Sequence, residues 1–113
     1  MIFRYTILYV EDVAASLAFY ERAFAMERGF LHESGDYGEL VTGATKLAFS
    51  SVKLMRTLGK TPGKPAPETP VFEIAFETED VYAAYTRALA AGAQPVQEVR
   101  SCLLYTSLMA RGR

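Results

Sequence analysis

The sequence predicts an α+β fold built from two repeated strand–helix modules. The first observation is an internal repeat. Thr6-Ile7-Leu8-Tyr9-Val10-Glu11-Asp12-Val13-Ala14-Ala15 is answered by Ile74-Ala75-Phe76-Glu77-Thr78-Glu79-Asp80-Val81-Tyr82-Ala83. In both copies an apolar strand runs into Glu-Asp-Val and an alanine-rich helix follows, the mark of a duplicated unit. The second observation is a set of three short strand-like stretches after the first helix, separated by turn residues. The third is a proline-rich interval that separates the two copies.

Residues 3–10 are rich in β-branched and aromatic side chains and predict a strand. Alternation places Thr6, Leu8 and Val10 on one face and Tyr5, Ile7 and Tyr9 on the other. Asp12 is the expected N-cap of the next helix, in which Val13, Leu17, Tyr20 and Phe24 form an apolar stripe. Strands are expected at 27–33, 37–42 and 45–51, broken by Ser34-Gly35-Asp36 and Gly43-Ala44. The first module, about residues 1–52, therefore reads β-α-β-β-β.

Residues 53–70 lose periodicity and hold Pro62, Pro65, Pro67 and Pro70, so they are expected to link the modules. Gly59-Lys60-Thr61 is not a phosphate-binding loop, because the upstream glycine position is Leu54 and proline-rich sequence follows in place of a helix. The second module, about residues 71–99, opens with a strand at 71–77. Asp80 then caps a helix with a stripe of Val81, Ala84, Tyr85, Ala88 and Leu89, and Gly92 stops it. Residues 94–99 are a further strand candidate. Residues 100–113 show no clear strand pair and form an atypical tail, so this module is expected to be truncated.

Composition narrows the function classes. A net charge of −1 argues against a general nucleic-acid or anionic-membrane binder. Lys53, Arg56, Lys60 and Lys64 make a local basic stretch without interleaved aromatics, which reads as a solvated loop. No apolar run reaches the roughly 20 residues needed to span a bilayer. Met1-Ile2-Phe3-Arg4-Tyr5 passes directly into the first strand, and Cys102 is the single cysteine. A cytoplasmic protein without disulfides is the expectation.

The chain resembles the vicinal oxygen chelate superfamily, which includes glyoxalase I, bleomycin-resistance proteins and extradiol dioxygenases. The residues that carry this are Leu8-Tyr9-Val10-Glu11-Asp12-Val13 leading to Ser16-Leu17-Ala18-Phe19-Tyr20, and Tyr37-Gly38-Glu39-Leu40 before Thr45-Lys46-Leu47-Ala48-Phe49. Residues 72–80 and a helix ending at Ala91-Gly92-Ala93 complete it, so that it covers roughly residues 2–99. The resemblance implies paired βαβββ modules whose sheets curl into a cup around a ligand or metal. A ferredoxin-like domain also repeats a βαβ unit, but it does not need three consecutive strands after the first helix.

In metal-dependent members, the resemblance implies one ligand, commonly His or Glu, from each of four strands. The matching positions here are Tyr5, Ala48 and Glu73, and the closing strand that carries the fourth is missing. A single carboxylate leaves a divalent ion mostly hydrated. No metal site and no cofactor are therefore expected, unless missing residues or a partner complete the set. His32, the single histidine, lies on the second predicted strand, away from these positions.

Tyr5 and Glu73 are equivalent in the two repeats, and both are expected to face the cup. Exclusion of water there would favour protonated Glu73 and make it a candidate general base; a solvated carboxylate without a catalytic task is the alternative. Tyr9, Ala48 and Ser50, with Tyr37 and Glu39, are the remaining candidates for ligand-binding walls. The expected function is a metal-free binder of a small organic molecule, with a homodimer as the expected assembly. A glyoxalase-type lyase or isomerase and a non-catalytic interaction module are the alternatives.

Overall fold

The computed structural model describes residues 1–97 and 108–109. Its centre is a four-stranded mixed sheet made entirely by the first module. β1 (Tyr5–Val10) lies parallel to β4 (Lys46–Ser51), in register from Tyr5 beside Lys46 to Val10 beside Ser51. β3 (Tyr37–Val41) runs antiparallel to β4, and β2 (Glu27–Leu31) antiparallel to β3. The strand order is β1-β4-β3-β2, so the chain leaves the first strand, crosses by a helix and returns through three consecutive strands. This is the βαβββ order expected from the sequence, and the three-strand return separates it from the ferredoxin-like alternative.

The crossover is α1 (Val13–Phe24). Asp12 caps it as expected, its Oδ1 accepting from the Ala15 N–H at 3.0 Å. The stripe of α1 buries Val13, Leu17, Tyr20 and Ala23 against Leu40, Leu47 and Phe49 of the sheet. Each large side chain removed from water here contributes roughly 1.5–3 kcal/mol. The Tyr20 and Phe49 rings meet at 5.0 Å between centroids. Leu8 and Val10 pack on this cluster, while Tyr5, Ile7 and Tyr9 are exposed on the opposite face, as alternation requires.

Gly38 on β3 is demanded by this packing. A Cβ there would stand 2.6 Å from Leu17 Cδ1 and 3.2 Å from Val13 Cγ1. The helix can lie close to the sheet only where that side chain is missing.

The expected linker opens differently. Residues Val52–Thr57 form a short helix, α2, capped by Ser51, whose Oγ accepts from the Leu54 N–H at 2.9 Å. The same Ser51 hydroxyl donates to Asp36 Oδ1 at 2.8 Å, tying the cap to the turn before β3. Val52 and Met55, one helical turn apart, are buried. The prolines begin only after this helix, which is why their influence does not reach it.

In the second module α3 (Val81–Ala90) forms as expected, with Asp80 Oδ1 accepting from the Ala83 N–H at 3.0 Å. Gly92 follows it at φ +107°, beyond the reach of an ordinary L side chain. α3 packs on α1, where Ala88 is fully buried and the Arg87 Nε donates to the Arg22 carbonyl at 2.7 Å. That carbonyl belongs to the last turn of α1, so Arg87 satisfies an otherwise open helix end.

The strand expected at 71–77 is not a strand in the structure, because no described strand lies alongside to share a ladder. Its alternation survives as packing: Ile74 and Phe76 lie on the core, and the Phe76 ring meets Phe24 at 5.1 Å. The strand expected at 94–99 shrinks to β5 (Gln94–Pro95), which pairs antiparallel with β6 (Leu108–Met109). β6 falls in the tail, where the sequence shows no clear strand pair. Residues 98–107 and 110–113, including Cys102, lie outside the described residues. The fold is α+β with a four-stranded curved sheet, and the second module is truncated relative to the first.

Candidate functional site

One face of the sheet carries α1 and the core, and α2 lies against β1 and β4. Tyr5, Ile7 and Tyr9 alternate out of β1 onto the face opposite α1 and are 45%, 44% and 41% exposed. The β1–β4 register sets Ile7 beside Ala48 and Tyr9 beside Ser50. The β3–β4 register continues each row, placing Glu39 beside Ala48 and Tyr37 beside Ser50. Phe30 of β2 extends the Glu39 row and brings its ring to 6.0 Å from Tyr37.

Four of the five residues expected to bind ligand thus share one face: Tyr5, Tyr9, Ala48 and Ser50. Their accessibility differs. Ala48 and Ser50 are buried, at 0% and 4% exposure, so they form a floor of small side chains on the central strand. A molecule resting here meets Tyr5, Ile7, Tyr9 and Phe30 first.

Glu73 stands apart. It lies in the segment before α3, outside the four-stranded sheet, and is exposed. Its repeat-based equivalence to Tyr5 is therefore not expressed as a strand pair.

Three polar groups of the face, Tyr37, Glu39 and Lys46, form a network. The Tyr37 hydroxyl donates to Glu39 Oε2 at 2.8 Å, and Lys46 Nζ meets Glu39 Oε1 at 3.1 Å. Burial pushes the Tyr37 phenol strongly up; its hydrogen bond to Glu39, that carboxylate's charge and Tyr5 push it further the same way. Tyr37 is therefore a neutral hydrogen-bond donor at physiological pH, not a phenolate.

At the Tyr9 end, Lys60 Nζ lies 3.4 Å from the Tyr9 hydroxyl and 5.8 Å from its ring centroid. The sequence reading missed this residue by assigning Lys60 to a solvated loop. The available signal was Ser51 ahead of Val52 and Met55, with Gly59 behind: a cap, a one-turn apolar spacing and a helix stop.

His32 lies just beyond β2 in the turn to β3, where its Nδ1 accepts from the Ser34 N–H at 3.1 Å. Among the described residues no three His, Cys, Asp or Glu side chains are grouped so as to hold a metal ion. Tyr5, Ala48 and Glu73 supply one carboxylate between them, outside the sheet that holds the other two. These residues do not fit a divalent metal.

A helix-backed mixed sheet with an aromatic-lined second face, followed by a second aspartate-capped helix packed on the first, defines a βαβββ-module protein. The chain belongs to the Glyoxalase/Bleomycin resistance protein/Dioxygenase superfamily, whose sequence model matches residues 2–101. Its fold is shared with a glyoxalase/bleomycin resistance protein/dioxygenase family enzyme from Burkholderia phytofirmans PsJN. That match has a TM-score of 0.67 at 20% identity and covers 89% of this chain and 81% of that one. A gene product of Arabidopsis thaliana matches with a TM-score of 0.65 at 20% identity, over 88% of this chain and 78% of that one. A glyoxalase-related enzyme from Fulvimarina pelagi matches with a TM-score of 0.66 at 21% identity, over 91% and 73%. At such identities these likenesses show the fold alone. None of the curated proteins matches the chain. Among the described residues, no helix is long and apolar enough to cross a membrane.

Proposed function

We propose that this protein holds a small organic molecule against the face of its sheet opposite α1, without a bound metal. The observation that carries the reading is the row of Tyr5, Ile7 and Tyr9 on β1, each more than two-fifths exposed. Isolated exposed apolar side chains are ordinary, but a contiguous aromatic row on a sheet face is a surface suited to a partner. Glu39, Tyr37 and Lys46 add directional polar groups beside it.

A thermal-shift screen of aromatic, glycopeptide and thiol-conjugate compounds, run with and without chelator, tests this. The expected result is a stabiliser whose effect is unchanged by chelator and is lost in Tyr9→Ala. A panel without a single stabiliser would overturn the reading.

A homodimer belongs to the same proposal. β1 is at the edge of its sheet and has only β4 as a ladder neighbour among the described residues. Such an edge invites a second strand. Sedimentation equilibrium showing only single-chain mass at micromolar concentration would remove this part. A cytoplasmic location completes the proposal, and the single cysteine of the chain suits that reducing compartment.

A further inference from the structure

The geometry points to an anionic, planar aromatic ligand for this face, with Lys60 as the residue that pairs with its negative group; this rests on the small-molecule reading above. Two lysines approach the face opposite α1, and their charges are answered differently. Lys46 is neutralised by Glu39 at 3.1 Å, and Glu39 also takes the Tyr37 hydroxyl, so that carboxylate is fully engaged. Lys60 has no carboxylate within ion-pair distance among the described residues. The only hydrogen-bond partner of its ammonium there is the Tyr9 hydroxyl, at 3.4 Å.

The position of Lys60 is set by backbone and not by chance. Gly59, at φ +85°, turns the chain out of α2, and the Lys60 N–H donates to the Met55 carbonyl at 2.9 Å. Met55 is buried, which anchors that turn. The ammonium is thereby presented at the end of the Tyr5–Ile7–Tyr9 row, over an aromatic ring with which it already makes a cation–π contact. A flat apolar body lying along the row would place a carboxylate, sulfonate or phosphonate at its end within reach of Lys60. The apolar part gains from burial against Ile7 and the tyrosines, and the anion gains a charge-assisted hydrogen bond.

Binding of two fluorescent probes tests this: anilinonaphthalene sulfonate, and phenylnaphthylamine as its uncharged counterpart. The wild type is expected to bind the sulfonate more tightly, by about tenfold, with the difference shrinking as salt screens it. Lys60→Gln should abolish the preference and leave the uncharged probe within about twofold, whereas Lys60→Arg should retain it. Lys64→Gln, in the same basic stretch, should change neither affinity, and circular dichroism confirms that each variant is folded. Equal binding of the two probes by wild type, or an unchanged preference in Lys60→Gln, overturns the role of Lys60 and leaves the small-molecule reading intact. Binding of neither probe, in a protein that the compound panel does stabilise, overturns the anionic class alone. Binding of nothing overturns both.

Discussion

The Tyr37 hydroxyl donates to Glu39 Oε2 at 2.8 Å, joining two residues of one strand on the same face of the sheet. The bond is local, because residues two apart in a strand point the same way. Its environment is not local: Lys46 closes on the other carboxylate oxygen from the neighbouring strand. Tyr37→Phe is expected to cost about 1 kcal/mol, and Glu39→Gln a similar amount. A double-mutant cycle followed by urea denaturation should give a coupling energy of at least about 0.5 kcal/mol. Strict additivity would show that the bond contributes nothing.

Tyr20 gives the fold an alkaline limit. Burial against Phe49 and Phe24 pushes its phenol up from 10.0 to about 12. The unfolded chain therefore releases this proton at lower pH than the folded one. Stability from this group is intact below about pH 10 and falls between 10 and 12, by roughly 1.4 kcal/mol per pH unit. Tyr37, shifted in the same direction, steepens the fall. Denaturation midpoints measured across that range should decline in the wild type and decline less steeply in Tyr20→Phe.

Gly38→Ala should destabilise the protein by about 1–3 kcal/mol, since the new methyl group meets Leu17 Cδ1 at 2.6 Å and forces α1 away from the sheet. Thermal denaturation reads the loss directly. The double variant Gly38→Ala with Leu17→Val should recover less than either change alone predicts is lost, because Leu17 is fully buried elsewhere in the core as well.

Ala25 ends α1 at φ 55° and ψ 32°, in the left-handed region where a Cβ is unfavourable. Ala25→Gly is therefore expected to stabilise the protein, by about 0.5–1 kcal/mol after the added freedom of the unfolded chain is subtracted. A raised melting temperature is the readout. A lowered one would mean that Ala25 contributes more through its methyl contacts than its backbone costs.

Much of the first module is written locally. The alternation of residues 5–10 records which side chains meet the core, and Asp12 and Asp80 each cap the helix that the pattern assigns to them. Burial side and capping depend on neighbours within about one helical turn, so a repeat of two or of 3.6 residues suffices to reveal them. The pairing of Tyr9 with Ser50 and of Ile7 with Ala48 is different, because it needs β1 to lie parallel to the last strand of its module. Ladder order is a long-range contact without a local signature. The failure of residues 71–77 to become a strand has the same origin: the alternation is present, but no described strand offers its backbone a partner. Lys60 reaches Tyr9 across 51 residues through a cap, a buried methionine and a glycine turn. Residue periodicity thus settled β1, α1 and the three strands that follow, with their inner faces, while the tertiary structure alone decided which side chains share the open face, since packing joins residues that the chain keeps apart.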